Sequence, residues 1–353
     1  MSGWLLGWPQ VISSTMWWLT FLLFALGALG GAWAGTGAVL HLLKKRAILD
    51  HPNHRSSHAA PTPHGGGLAV VPVVLVACCV ASVLAGTLIY YWLVFVAAAV
   101  LAAVSWRDDL HGLGPLPRLT VQAAAVALGI TSLPGHGFVF QGLLPWWLDM
   151  AAAGFLWLWF VNVFNFMDGV DGMAGTEAAS IGGGLCLMFV AGVWPIEAGL
   201  YALIIAAAAL GFLPWNWHPA RIFLGDVGSV PLGYLIGWLL LGAAAQGLWP
   251  AALLLPLYYL ADATLTLLSR LHRRQVLWQA HRDHYYQRAL GRGLGHDTVV
   301  RAVLGVNLVL IACAVASLAG GMVMVAALAM GALSVAAVLW YFRGATEAGR
   351  GGA

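Results

Sequence analysis

Long apolar runs separated by short polar loops set the pattern of this chain. Eleven such runs can be marked, at about 16–42, 68–86, 88–105, 119–133, 146–163, 175–193, 197–213, 228–246, 250–269, 299–319 and 321–342. A helix of roughly 20 apolar residues crosses a bilayer, and helices satisfy their own backbone groups inside lipid. The pattern predicts an all-α polytopic integral membrane protein with about 11 transmembrane helices, one membrane-embedded domain over 1–353. The first run is too long for the core of a signal peptide, and no Lys or Arg precedes Lys44. Despite Ala32-Trp33-Ala34, which resembles a cleavage site, it reads as a retained span. The longest polar segment, Arg270 to Asp297, should hold an amphipathic or interfacial helix.

Composition sharpens this. The chain is 61% hydrophobic and only 8% charged, where soluble domains carry about 25% charged residues. A water-facing surface cannot be built from so few charges, so a lipid bilayer is the expected surrounding. The net charge of +3 then concerns orientation, and no nucleic-acid partner is expected. The cysteines Cys78, Cys79, Cys186 and Cys313 lie inside apolar runs without zinc-type spacing, so they read as small core residues. Trp146, Trp147, Trp194 and Trp249 near run ends suit interfacial anchoring.

Orientation follows from the cations. With the N-terminus periplasmic and the C-terminus cytoplasmic, the loops at 43–67, 106–118, 164–174, 214–227 and 270–298 face the cytoplasm. All 16 Lys and Arg residues then fall in those loops, at their edges or in the C-terminal tail, as the positive-inside rule requires. Eleven of the 12 His fall on the same side, His136 being the exception, and only Asp149 and Glu197 among the acids lie near the outer face. The chemistry is expected in the cytoplasm.

Between the fifth and sixth runs lies Asn162-Val-Phe-Asn165-Phe-Met-Asp168-Gly-Val-Asp171-Gly172. Two amides and two carboxylates recur every third residue, which on a helix would put them on one face. Acids beside hydrocarbon are costly and usually functional; a plain polar turn does not need four ordered oxygen-bearing side chains. Asp108-Asp109 closes the third run. Adjacent carboxylates repel unless a cation or shared proton relieves them, so the pair suits a metal or a general base. Gly225-Asp226-Val-Gly228-Ser229 opens the eighth run with free amides and one carboxylate, also readable as an N-capped turn. The first loop carries Arg55, His58 and His64 into Gly65-Gly66-Gly67, either an anion site of exposed amides or a flexible hinge. The last loop reads His281-Arg282-Asp283-His284, phosphate-suited donors or an interfacial contact with anionic lipid. Asp262 lies inside the ninth run, where structural pairing and catalysis weigh equally. Oxygen donors without Cys favour Mg²⁺ or Mn²⁺ over zinc. Together these loops suit phosphoryl transfer between a soluble nucleotide and a lipid phosphate.

Pro52-x-x-Arg55, His58, Thr62-Pro63-x-Gly65-Gly66, Asp108-Asp109, Asn165-x-x-Asp168-Gly-x-Asp171-Gly172, Gly225-Asp226-x-Gly228-Ser229 and His281-Arg-x-His284 stand in one order from about 50 to 290. In this the chain resembles the polyprenyl-phosphate N-acetylhexosamine-1-phosphate transferases. The resemblance implies that a polyprenyl phosphate, normally undecaprenyl phosphate, attacks the β-phosphorus of a UDP-N-acetylhexosamine and releases UMP at the bacterial inner membrane. It implies Asn165 and Asp226 as Mg²⁺ ligands, and Asp108, Asp109 and Asp168 as the catalytic carboxylates. Arg118 would neutralise phosphate, and Phe223 and Asp171 would contact uracil. His281, Arg282 and His284, with Arg55 and His58, would hold diphosphate or sugar. The last loop departs from the family's histidine runs: His281-Arg-Asp-His284 is followed by Tyr285-Tyr-Gln-Arg288. That variant resembles the branch initiating O-antigen or capsule chains on N-acetyl-fucosamine or N-acetyl-quinovosamine, with N-acetylglucosamine also open. A homodimer is compatible with the sequence. Two other classes compete. A transporter would place relay acids in mid-membrane, whereas these acids lie at loop edges. An intramembrane aspartyl protease would want Gly two positions before Gly225, where Phe223 stands.

Overall fold

The computed structural model describes residues 14–48, 61–133, 138–276 and 281–344. They form thirteen α-helices: α1 Ser14–Lys45, α2 Gly67–Ala85, α3 Leu88–His111, α4 Pro115–Ile130, α5 Trp146–Phe166, α6 Met173–Val190, α7 Ile196–Asn216, α8 Asp226–Ala243, α9 Trp249–Leu254, α10 Leu257–His272, α11 Tyr285–Gly291, α12 His296–Ser317 and α13 Gly321–Gly344. Among the described residues the only extended pairing is a parallel bridge between His64 and Phe223. The all-α polytopic expectation holds.

Nine helical segments of the described chain are long and apolar enough to cross a membrane, taking Asp226–Leu254 as one. Two of the eleven expected spans fall short of that. The fourth is α4, with 16 residues. The ninth is divided: α9 continues α8 through a π-helical turn, Ala244–Leu248, in which Gly247 takes φ 88°. Pro256 then separates α9 from α10. Proline has no N–H to give a helix, and its ring crowds the preceding turn. Within the last loop the described residues form one short helix, α11, of seven residues.

The centre of the bundle is α8, apolar on all sides and buried along almost its whole length. It packs against α2, α3, α5 and α6. Close approach comes from missing side chains. A Cβ on Gly67 would lie 2.2 Å from Gly228 Cα, one on Gly233 would lie 2.9 Å from Phe164 Cβ, and one on Gly237 would lie 2.7 Å from the Trp157 ring. Trp146, Trp147 and Trp249 are exposed, consistent with anchoring, but Trp194 is buried and packs into the interior instead. All four cysteines are free thiols.

Candidate active site

The site is assembled where α3 and α5 end and α4 and α8 begin. Helix α3 ends just beyond Asp108-Asp109, and the two carboxylates diverge. Asp109 receives the first N–H groups of α8, from Asp226 at 3.2 Å and Val227 at 3.0 Å. Those amides carry the positive end of the helix. His64 Nε2 stands 3.8 Å from the same carboxylate. Asp108 instead accepts the Leu113 N–H and pairs with Arg118 at 2.8 Å. Arg118 also reaches Asp226 Oδ2 at 3.4 Å. From α5, the Asn165 amide nitrogen donates to Asp226 Oδ1 at 2.7 Å and to Ser229 Oγ at 2.9 Å. Asp108, Asp109, Arg118, Asn165 and Asp226 are thus brought into one cluster.

The recurrence of Asn162, Asn165, Asp168 and Asp171 at every third position does not survive as one helical face. Helix α5 stops at Phe166, so Asp168 and Asp171 lie in the turn beyond it. Asn162 bonds Gln122 of α4 at 2.8 Å. Asp168 keeps the company of the cluster. Burial raises its carboxyl well above the usual range, helped by the Asp226, Asp109 and Asp171 charges. Asp171 is set aside from the cluster by its partners: His218 Nδ1 at 2.6 Å, the Ala220 N–H at 3.1 Å and His296 Nδ1 at 3.3 Å. Burial pushes Asp171 up, but bonds from His296, His218 and Ala220 outweigh it and hold the carboxyl below its ordinary value.

The glycine triplet is not an open anion nest. Gly65 and Gly66 both donate to the Phe223 carbonyl, at 3.1 and 2.8 Å, and Gly67 donates to Leu224 O at 2.9 Å. Phe223 N returns a bond to Pro63 O at 2.9 Å. These amides therefore zip the first loop to the segment before α8, and Gly67 allows the approach to Gly228. Phe223 is held by its backbone at the edge of the cluster. Arg55 and His58 lie outside the described residues.

The last loop is anchored by α10. Asp262, Thr266 and Arg270, spaced four apart, form a buried polar stripe on that helix. Asp262 accepts the N–H groups of Tyr285 at 3.0 Å and Tyr286 at 3.2 Å, and lies 3.3 Å from His284 Nδ1. Arg270 binds Asp283 and also Val276 O at 2.8 Å. The buried acid of α10 is thus a structural anchor. Arg282, next to Asp283 in the chain, is exposed. Burial, with His284 and Arg270 alongside, pulls the His281 ring down to about 4, so it is a neutral imidazole near pH 7.

His281, His284, Arg118, Asn165 and Asp226 share the head of a cavity of about 640 Å³. Its walls are apolar side chains of α3, α4 and α5, including Leu101, Val104, Leu119, Phe155, Leu158 and Trp159. Sequence reading missed several participants. Gln122, His218 and His296 carry no local signal beyond their polarity. Glu177 was overlooked in a Gly-rich run; it is fully buried in α6 and bonded to Asn307 of α12 at 2.7 Å.

Comparison with known proteins fits this geometry. A family profile described as Glycosyl transferase family 4 matches residues 91–244. A phospho-N-acetylmuramoyl-pentapeptide-transferase of Synechococcus sp. (strain RCC307) is 32% identical over 254 residues, 67% of this chain and 70% of that protein. A probable undecaprenyl-phosphate N-acetylglucosaminyl 1-phosphate transferase of Bacillus subtilis (strain 168) is 27% identical over 277 residues, 76% of each. A decaprenyl-phosphate N-acetylglucosaminephosphotransferase of Mycobacterium tuberculosis (strain CDC 1551 / Oshkosh) is 29% identical over 301 residues, 75% of this chain and 74% of that protein. On that identity and coverage, the chain belongs to the glycosyl transferase family 4 of polyprenyl-phosphate N-acetylhexosamine-1-phosphate transferases.

Proposed function

We propose that the protein transfers an N-acetylhexosamine-1-phosphate from a UDP-sugar to undecaprenyl phosphate at the cytoplasmic face of a bacterial inner membrane. An oxygen of the lipid phosphate attacks the β-phosphorus, the bond from that phosphorus to the bridging oxygen breaks, and UMP leaves. The observation that carries this is the cavity: a polar, cationic head at Arg118, His281 and His284, continuous with apolar walls along membrane-spanning helices. That is the shape of a phosphate on a prenyl tail.

Each residue has a part that its geometry allows. Arg118, paired with Asp108 and near Asp226, can turn to the lipid phosphate. Asp108 then stands ready to orient that phosphate or take its proton. Asp109, bound to two α8 amides, fixes the position of Asp226, and Asp168 supplies a further carboxylate. His281, as a neutral ring, offers a hydrogen bond to a phosphate or sugar oxygen without added charge, with Arg282 and His284 beside it. Phe223 and Asp171 are assigned to uracil on the resemblance of their motifs.

The donor set fits Mg²⁺ or Mn²⁺. Asn165 and Asp226 touch at 2.7 Å, and turning the amide over would set two oxygens face to face, an arrangement that a hard cation stabilises. Four carboxylates converge here against one guanidinium, which leaves room for positive charge. Bound there, the ion would neutralise the diphosphate.

The product would be the lipid-diphosphate sugar that starts O-antigen or another cell-envelope polysaccharide. The departure at His281-Arg-Asp-His284 supports that branch. A transporter reading is less well supported: Asp262 and Glu177, the acids well inside the bundle, both hold neighbouring helices or loops together. The test is UMP release by detergent-purified protein given undecaprenyl phosphate, Mg²⁺ and a panel of UDP-N-acetylhexosamines. Lipid-dependent release with one sugar, stopped by EDTA, is expected. Release that does not need the lipid, or none with any sugar, would sink the proposal.

A further inference from the structure

A second, smaller cavity lies at the end of the bundle away from the transfer site. It is bounded by the start of α3 at Tyr91, the start of α7 at Glu197 and Tyr201, and the last turns of α8 at Trp238 and Gly242. At about 1.5 Å per residue, Gly242 lies roughly 24 Å along α8 from Asp226. The cavity measures about 40 Å³, room for about three groups the size of a water molecule. Gln246, also in the lining, is exposed, so the cavity opens to the outside of the protein.

Its wall combines one acid with aromatic side chains. Tyr91, Tyr201 and Trp238 pack ring to ring, with centroids 5.2 Å apart for Tyr91 and Trp238 and 5.7 Å for Tyr201 and Trp238. Trp194 joins them in the lining. Glu197 is the acid, and no Lys, Arg or His lines the cavity with it. It stands in the first turn of α7, where the helix dipole favours its charge. Trp194 is buried, and its indole N–H has no acceptor among the described residues, so the protein alone leaves this wall incomplete. Water fits the space by size but leaves the carboxylate's charge unmatched. A hard metal ion wants several oxygen ligands, whereas most of this wall is carbon. A carboxylate among aromatic rings is the surrounding that an organic ammonium takes. Volume decides which kind: an aminoethyl end matches about three water-sized groups, and a trimethylammonium head is bulkier.

We infer that this cavity is a binding site for a primary alkylammonium group, held by Glu197 and the rings of Tyr91, Tyr201 and Trp238. Two sources carry that group: the headgroup of an ethanolamine phospholipid and a small soluble amine. The inference stands apart from the proposed transfer, since it needs neither the UDP-sugar nor the lipid phosphate.

The test uses the full chain, delipidated in detergent. Ethylammonium chloride should raise Tm saturably, and tetramethylammonium or sodium chloride at equal ionic strength should not. Native mass spectrometry then separates the sources. One retained phosphatidylethanolamine per chain, with no phosphatidylglycerol, assigns a lipid headgroup; a Tm response without retained lipid assigns a soluble amine. Glu197→Gln should raise the midpoint concentration of ethylammonium at least about 10-fold, as losing a hydrogen bond to a charged group does. Trp249→Phe, at an exposed ring, should keep the wild-type midpoint. Gly242→Leu, at a lining position where a Cβ meets nothing within 4 Å, should weaken the response by narrowing the cavity, and it stands in if Glu197→Gln fails to elute as a single species. Two results overturn the site. One is ethylammonium acting no better than tetramethylammonium or sodium, meaning that nothing here selects a primary amine. The other is a Glu197→Gln protein that responds as wild type does.

Discussion

Asp109 holds the backbone N–H of Asp226, at 3.2 Å, while Asp108 beside it turns away to Arg118. One acid of the pair fixes the helix that carries the proposed ligand, and the other faces the guanidinium at the head of the cavity. Asp109→Ala should therefore act on the fold, removing a helix N-terminal acceptor at a cost of about 0.5–2 kcal/mol. Asp108→Ala should leave Tm closer to wild type and lower turnover at least about 100-fold, within the range for a lost general base or charge partner. Thermal unfolding in detergent beside UMP release separates the two. A larger loss of Tm for Asp108→Ala would reverse the assignment.

Gly67 and Gly183 should respond in opposite ways to alanine. A Cβ on Gly67 meets Gly228 Cα at 2.2 Å, backbone against backbone, whereas one on Gly183 meets nothing within 4 Å. Gly67→Ala should destabilise by about 1–3 kcal/mol, as overpacking does, and loosen the first loop from Phe223. Gly183→Ala should be neutral or stabilise by about 0.5–1 kcal/mol through helix propensity. Equal Tm values for the two variants would mean that α2 and α8 are not in this contact.

What could be read from the sequence was what stands out against hydrocarbon. Asp108-Asp109, Arg118, Asn165 and Asp226 are polar groups at the ends of apolar runs, and the fold brings them together. Partnerships were not legible. Nothing local says that Asp109 turns to α8 and Asp108 to α4, or that Asp171 meets His296, 125 positions away. The glycine triplet was ambiguous for a physical reason. An anion nest and a tight helix contact both require a missing Cβ, and only the destination of the amides distinguishes them. The helix break at Pro256 was not legible because the hydropathy of the stretch continues on both sides of it.

The histidine of the last loop sets a pH window for stability. His281 has its folded pKa lowered to about 4 from the ordinary 6.5, so the unfolded chain binds the extra proton first. Stability is fully present above about 6.5 and is lost as pH falls toward 4. Asp171, also held below its usual value, loses its contribution only at lower pH. His281→Gln should therefore show a shallower fall in Tm than wild type between pH 7 and 5. Parallel curves would mean that folding does not lower the His281 pKa.

Glu177 and Asn307 bond at 2.7 Å with both side chains buried between α6 and α12. Removing one partner should cost more than removing the charge. Asn307→Leu strands the carboxyl and should destabilise by about 1–3 kcal/mol, whereas Glu177→Gln keeps a hydrogen bond with Asn307 and should fall within about 1 kcal/mol of wild type. Both are distant in role from phosphate handling, so UMP release per folded molecule should be unchanged. A loss of turnover in folded Glu177→Gln would draw that acid into the chemistry.

Asp262 gives the sharpest test of how α10 supports the loop. Its oxygens receive the Tyr285 and Tyr286 N–H groups that open α11 and lie against His284, while Thr266 reaches it only at 3.4 Å. Asp262→Asn puts an amide N–H where donors already converge, so one contact becomes donor against donor. The start of α11 should then detach and carry His281 and His284 away from the cavity. Turnover should fall at least about 10-fold, since misplacing groups by an ångström or so has that scale of effect. Thr266→Val, which removes only the long contact, should keep both activity and Tm near wild type. The outcome that counts against this is Asp262→Asn with full activity: the loop would then be held by Arg270 and Asp283 alone, and the buried acid would need another explanation.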